Sequence, residues 1–207
     1  ISGNLPTAPA IMGNVSLWKP ASTSVYSSFF IMKLLEEAGL PSGVINFIPG
    51  SGSKIGKQVL QHKDLAGIHF TGSTGVFQTM WNTVGQNIKN YKSYPRIVGE
   101  TGGKDFILAH KSSNRDGLRT AMVRGAFEYQ GQKCSAMSRA YLPKNQWDEI
   151  KEKLVTEVAS IDVGPPEDLK NFVNAVIDEN AFDKIASYVD FANDADDCDV
   201  LCGGTYD

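Results

Sequence analysis

Two short motifs in this 207-residue chain carry residue types that can work on a carbonyl. Gly99-Glu100-Thr101-Gly102-Gly103-Lys104 offers a carboxylate on a glycine-rich, turn-forming segment. Cys134 follows Glu100 by 34 residues, in Gly131-Gln132-Lys133-Cys134-Ser135, just after an expected helix end. A thiolate attacks a carbonyl carbon to form a covalent adduct, and a carboxylate activates the water that later hydrolyses the thioester. An unperturbed thiol titrates near ~8.5, so a nucleophilic one needs positive charge, backbone N–H groups or a helix N-terminus close by. Lys133 supplies charge, although adjacent side chains on an extended backbone point apart. Gly131 and Ser135 suit a tight segment that exposes the thiol. Spacing alone leaves the plainer readings open: a lone cysteine is usually a small buried hydrophobe, and a Glu beside a glycine turn is usually a solvated carboxylate.

These residues need a frame, and the pattern supplies one. A strand over residues 14–19 stops at Pro20. Helix 24–38 carries Val25, Phe29, Ile31, Met32 and Leu35 at 3–4 spacing and stops at Gly39. Strand 44–48 turns through Pro49-Gly50-Ser51-Gly52-Ser53 into a helix reaching about residue 61. Strand 67–70, helix 74–90 and a strand from Arg96 follow. After Gly102-Gly103 the theme restarts with strand 105–109, helix 115–129, strand 139–142 and helix 145–159. A last helix over about 181–192 precedes a strand at Val200-Leu201. Strand–helix–strand repetition with short glycine-rich turns predicts an α/β fold with a doubly wound, Rossmann-like parallel sheet, then the first part of a second α/β domain. The glycine pair marks the hinge, giving domains 1–101 and 102–207.

Composition narrows the classes. A hydrophobic fraction of 42% and a charged fraction of 21% suit an ordinary globular protein. No apolar run is long enough to span a bilayer, so no membrane association is expected. A net charge of −3 argues against nucleic-acid binding, which relies on neutralising phosphates. Cys198 and Cys202, in C-x₃-C with no histidine nearby, read as incidental thiols rather than a zinc site, and no metal is expected. His62, His69 and His110 show no spacing that suggests a triad. Ile1-Ser2-Gly3-Asn4 and the end at Asp207 read as the cut edges of a longer chain, with no targeting pattern.

Gly72-Ser73-Thr74-Gly75-Val76 follows a strand and opens a helix, where unpaired N–H groups and the helix dipole favour a pyrophosphate. An N-cap by Ser73 or Thr74 accounts for the same residues and is compatible with that role. Gly50, Gly52 and Gly56 form G-x-G-x-x-x-G, one residue off the dinucleotide fingerprint and weak as a bare pattern. Taken with Trp18-Lys19-Pro20, Phe70-Thr71-Gly72-Ser73, Glu-x-Gly-Gly-Lys and Gly-Gln-Lys-Cys, these motifs resemble the aldehyde dehydrogenase superfamily. The resemblance runs over essentially the whole chain but covers about half of a family subunit. Ser16-Leu17-Trp18-Lys19-Pro20, Tyr94-Pro95-Arg96 and Phe127-Glu128-Tyr129 through Ala136 look most like its pyrroline-5-carboxylate (glutamate semialdehyde) dehydrogenase branch.

That resemblance implies NAD as cofactor and a small aldehyde, glutamate γ-semialdehyde, as substrate. It implies that Lys19 reaches the adenosine ribose hydroxyls and that Ser22 stands where relatives carry an acidic residue, which weakens the discrimination against NADP. Gly52 and Gly56 pass the cofactor closely, and Gly72 to Val76 lie against its diphosphate. Cys134 attacks the aldehyde, hydride passes to the nicotinamide, and water activated by Glu100 hydrolyses the thioester. Thr101 replaces the family's usual Leu beside that Glu. Lys133 and Ser135 contact the anionic substrate, and Lys104 anchors its motif. The oxyanion would be held by the Cys134 N–H and by an Asn upstream of this chain, since Asn4 sits too far along the motif. The resemblance also implies a homo-oligomeric full-length protein, located in the mitochondrial matrix of a eukaryote or the cytoplasm of a bacterium. Two rivals stand beside it. One is a related thiol enzyme making an acyl-phosphate or acyl-CoA, which would not need Glu100. The other is a fragment that keeps the fold without turnover.

Overall fold

Three times along the chain a short strand, a helix and a second strand follow one another, and each time the two strands pair in parallel. A parallel pair cannot be joined by a tight turn, so each helix serves as the crossover. The computed structural model describes residues 1–207, which form two compact units, Ile1–Thr101 and Gly102–Asp207.

The first unit opens with α1 (Asn4–Ile11), then β1 (Ser16–Trp18), a 3₁₀ turn at Ser22–Ser24, α2 (Val25–Glu37) and β2 (Ile45–Phe47). Helix α3 (Gly52–Val59) leads to β3 (Gly67–Thr71), α4 (Thr74–Gln86) and β4 (Arg96–Glu100). β1 pairs with β2 from Ser16 opposite Ile45 to Trp18 opposite Phe47, and β3 pairs with β4 from Gly67 opposite Arg96 to Thr71 opposite Glu100. Trp18, Ile45 and Val84 are buried, and the Trp18 and Phe47 rings meet edge to face at 5.2 Å. Gly99 has a packing reason to be glycine. A methyl group there would lie 2.2 Å from the Phe77 ring of α4, which stacks on Phe70 at 6.0 Å. The bare backbone at Gly99 lets α4 settle on its sheet.

The second unit holds β5 (Asp105–Leu108), α5 (Arg115–Phe127), β6 (Met137–Tyr141), α6 (Lys144–Ala159) and α7 (Glu179–Asp194). β5 and β6 pair in parallel with an irregularity between Asp105 and Phe106. Leu118 and Met122 of α5 and Ile150 of α6 are its core, with Ile107, Met137, Ala140, Leu142, Trp147 and Leu154 packed around them. Gln146 is buried among them because its Nε2 donates to the carbonyls of Lys111 (2.8 Å) and Ser113 (3.2 Å).

The expected parallel α/β pattern is present, with its ladders formed as three two-stranded pairs. Three local expectations change, and one helix lies where none was expected. Residues 4–11 are helical although Pro6 and Pro9 erase any apolar period. α1 is instead fixed by tertiary contacts, its Pro6 carbonyl accepting from Ser16 Oγ at 2.9 Å and its Leu5 carbonyl lying 3.2 Å from His69 Nδ1. The helix expected over 74–90 ends at Gln86, and a separate 3₁₀ turn covers Ile88–Asn90. The helix expected to reach Tyr129 ends at Phe127, because Tyr129 and Gln130 turn left-handed. Val200-Leu201 is not a strand, since no other segment pairs with it.

Candidate active site

In the first unit the candidate cofactor residues gather where strands end and helices begin. β1 and β2 run parallel, so the turns after Trp18 and Phe47 leave the same edge of the pair. Lys19, half-buried, extends to the start of α3, where a methyl group on Gly52 would lie 3.7 Å from its Nζ. The Lys19 ammonium and the exposed Gly52 therefore share one place. Ser22 is exposed in the 3₁₀ turn that follows Pro20. Ser51, which the motif reading passed over, caps α3 by accepting from the Lys54 N–H at 3.5 Å. Gly56 sits one turn into α3, half-buried, and a methyl group there would only touch Leu60 at 4.0 Å.

The second edge is built alike. Ser73 caps α4 by accepting from the Val76 N–H at 3.4 Å, so the capping reading of this residue holds. Gly72, Thr74, Gly75 and Val76 are exposed around that start. A methyl group on Gly72 would fall 2.5 Å from the Phe70 ring and force that ring to shift, whereas Gly75 faces open space. Glu100 is exposed at the end of β4 opposite Thr71, and its carbonyl accepts from the Gly72 N–H at 3.2 Å. Glu100 and the start of α4 thus lie side by side at one edge. The first unit fits a dinucleotide on this evidence: an ammonium beside one helix start at the end of the β1–β2 pair, and a second capped, exposed, glycine-rich helix start at the end of the β3–β4 pair.

The second unit presents the thiol. Cys134 is exposed, flanked by exposed Lys133 and Ser135, between a 3₁₀ turn at Glu128–Gly131 and β6. Its backbone is pressed against the glycine motif. A methyl group on Gly103 would lie 2.0 Å from the Cys134 carbonyl oxygen and 2.6 Å from Asp105 Oδ2. Only glycine admits that approach, so two motifs far apart in sequence meet at Gly103 and Cys134. Before the thiol, Tyr129 (φ 55°), Gln130 (φ 57°) and Gly131 (φ 66°) are all left-handed. Two of these carry side chains that disfavour that region, and such conformations persist only where neighbours over-determine them. Gln130 Nε2 donates to the Ala175 carbonyl at 2.9 Å, and Gln132 Oε1 accepts from the Ile177 N–H at 3.0 Å.

Lys133, read from sequence as a substrate contact, forms an ion pair with Glu128 at 2.6 Å. Arg124 of α5 pairs with the same carboxylate. The Lys133 hydrogen bond, and then the charges of Arg124 and Lys133, hold the Glu128 carboxyl below the usual range. Sequence reasoning missed Glu128 and Gln130 as working residues; the one available signal was the i,i+4 spacing of Arg124 and Glu128.

A profile described as "Aldehyde dehydrogenase family" matches residues 4–207. The chain belongs to the aldehyde dehydrogenase family. It is 52% identical over 206 residues, 99% of its length and 37% of the relative's, to the mitochondrial delta-1-pyrroline-5-carboxylate dehydrogenase of Dictyostelium discoideum. The fold agrees with that of the Mycobacterium tuberculosis delta-pyrroline-5-carboxylate dehydrogenase bound with NAD, at a TM-score of 0.96 and 50% identity over 100% of this chain and 38% of that one. A 1-pyrroline-5-carboxylate dehydrogenase from Thermus with bound NAD matches at a TM-score of 0.85 and 30% identity, over 91% of this chain and 36% of that one. This aldehyde dehydrogenase chain spans under two fifths of the length of these relatives. None of its helices is long and apolar enough to cross a membrane.

Proposed function

We propose that this chain carries the cofactor-binding unit (1–101) and the thiol-bearing part of the catalytic unit (102–207) of a glutamate γ-semialdehyde (pyrroline-5-carboxylate) dehydrogenase. The observation that carries this reading is the close approach, within the second unit, of Gly103 of the glycine motif to the backbone carbonyl of the exposed Cys134. About 50% identity to pyrroline-5-carboxylate dehydrogenases supports the substrate.

Lys19 and Ser22 would face the adenosine ribose, with Gly52 and Gly56 beside it and Gly72, Ser73, Thr74, Gly75 and Val76 along the diphosphate. NAD, when bound, supplies the acceptor for a hydride. Cys134 as thiolate adds to the aldehyde carbon, and its sulfur keeps the acyl group as a thioester once the hydride has left. Glu100 takes a proton from water, which attacks the thioester carbon, releases the carboxylate product and returns the thiol. Lys133 and Ser135, beside the nucleophile, suit the negative charge of the substrate. The working enzyme is longer than this chain and homo-oligomeric, and in a eukaryote it resides in the mitochondrial matrix, a reading supported by relatives named mitochondrial.

Replacing each cysteine in the full-length enzyme tests the assignment. Cys134→Ser abolishes NADH formation from glutamate γ-semialdehyde by a factor of about 10³ or more while leaving NAD affinity intact. Loss of activity on Cys198→Ser or Cys202→Ser, with Cys134→Ser active, contradicts it.

A further inference from the structure

The turn that delivers Cys134 is held by contacts that the proposed chemistry does not itself use. Three consecutive left-handed residues, Tyr129 to Gly131, reverse the chain between the end of α5 and the thiol. Glu128 stands at one end of this reversal and Lys133 at the other, joined at 2.6 Å, and Arg124 of α5 grips the same carboxylate. Gly131 is closed in as well, because a methyl group there would fall 2.9 Å from the Ala126 carbonyl. On the far side the Gln130 and Gln132 side chains hook onto the backbone at Ala175 and Ile177, and the Arg124 guanidinium lies 5.8 Å from the Phe172 ring centre. The hooks tie Gln130 and Gln132 to a distant segment, whereas the ion pairs tie Lys133, beyond the turn, back to the end of the helix.

We propose that Glu128 is a positioning residue for the nucleophile: its carboxylate clamps Lys133 to Arg124 across the left-handed turn and so fixes where Cys134 is presented. The clamp also has a consequence for specificity. Lys133 is already paired, so an anionic substrate meets an ammonium whose place is set in advance by Glu128, rather than a mobile side chain that must be ordered on binding. The inference rests on Cys134 as nucleophile for its kinetic outcome, but the clamp can be measured without substrate.

The test uses the full-length enzyme with saturating NAD. Glu128→Gln removes the charge and keeps the shape, and slows the single-turnover NADH burst about tenfold with NAD affinity unchanged, as expected for a misplaced nucleophile. Glu128→Asp keeps the charge and recovers at least about a third of the native burst rate, and Glu128→Gln combined with Lys133→Met is no slower than Lys133→Met alone. Amide hydrogen exchange over residues 129–134, in the absence of substrate, quickens in Glu128→Gln and in Lys133→Met. A burst within about twofold of native in Glu128→Gln overturns the proposal, as does a double variant whose loss is the product of the two single losses. Should Glu128→Gln not fold, the exchange readout on Lys133→Met decides, and unchanged exchange there is equally fatal. If Cys134→Ser stays active, the assignment of the nucleophile falls, while the exchange result still reports on the clamp.

Discussion

The proposed cofactor edge of the first unit and the proposed nucleophile turn of the second solve opposite problems. At the cofactor edge the chemistry is mostly backbone: two helix starts capped by Ser51 and Ser73, glycines in exposed turns, and one lysine over Gly52. Apart from Gly50 (φ 149°), where glycine is free to turn, each part lies in an ordinary conformation within a few residues of its own βα turn. The nucleophile turn is made from distance. Gly103 is pressed on Cys134 from 31 positions earlier in the chain, and Gln130 and Gln132 reach residues 175–177. Its backbone is left-handed at two non-glycine positions, a state that costs on the order of 1–3 kcal/mol per residue and needs those anchors. A binding edge tolerates local variation. A turn that aims a thiol does not.

That contrast predicts a gradient of sensitivity. The largest effect belongs to Gly103→Ala, whose new methyl group would collide with the Cys134 carbonyl. Displacing the thiol by even about 1 Å lowers kcat by roughly 10²-fold, while NAD affinity stays the same. Steady-state kinetics beside calorimetric NAD titration checks both halves. Equal loss of NAD affinity would show that the two regions are not separable as described.

A smaller effect is expected at the cofactor edge. Ser22→Glu places a negative charge at an exposed position of the first βα turn, and solvent screening limits its action on a 2′-phosphate to about 1 kcal/mol, a five- to tenfold gain in preference for NAD over NADP. Measured kcat/KM ratios for the two cofactors decide it. An unchanged ratio would mean that Ser22 does not face the adenosine ribose.

The smallest effect is a gain. Gly85, near the end of α4, has nothing within 4 Å of where a methyl group would go. Gly85→Ala should stabilise the protein by roughly 0.5–1 kcal/mol through helix propensity alone, without altering kinetics. Chemical denaturation measures the gain, and a loss of stability would show that the position is more confined than it looks.

The same contrast explains what could be read from sequence. The helix starts at Gly52 and Thr74, the parallel crossovers and the position of Glu100 at a strand end follow from local pattern: an apolar strand, a glycine-serine turn, an amphipathic run. Gly-Gln-Lys-Cys announced the thiol but not how it is held. Nothing local foretold that Tyr129 would leave the helix, because the Arg124–Glu128 spacing equally suits a helix that continues, and the anchors of Gln130 and Gln132 at residues 175–177 lie far off in sequence. Helix α1 escaped notice for the same reason: with Pro6 and Pro9 and no apolar period, its stability comes from Ser16 and His69. Val200-Leu201 shows the converse. Its composition is strand-like, but β structure requires a partner ladder and this chain supplies none there.

The central claim is a division of labour between Cys134, which forms the thioester, and Glu100, which activates the water that hydrolyses it. Rapid-mixing NADH fluorescence on the full-length Glu100→Gln enzyme with glutamate γ-semialdehyde tests it most directly. The account predicts a burst close to one NADH per active site at near-native rate, followed by steady-state turnover reduced by about 10²–10⁴-fold as the thioester accumulates. A burst that slows in step with the steady state would contradict it and place Glu100 in the steps up to hydride transfer.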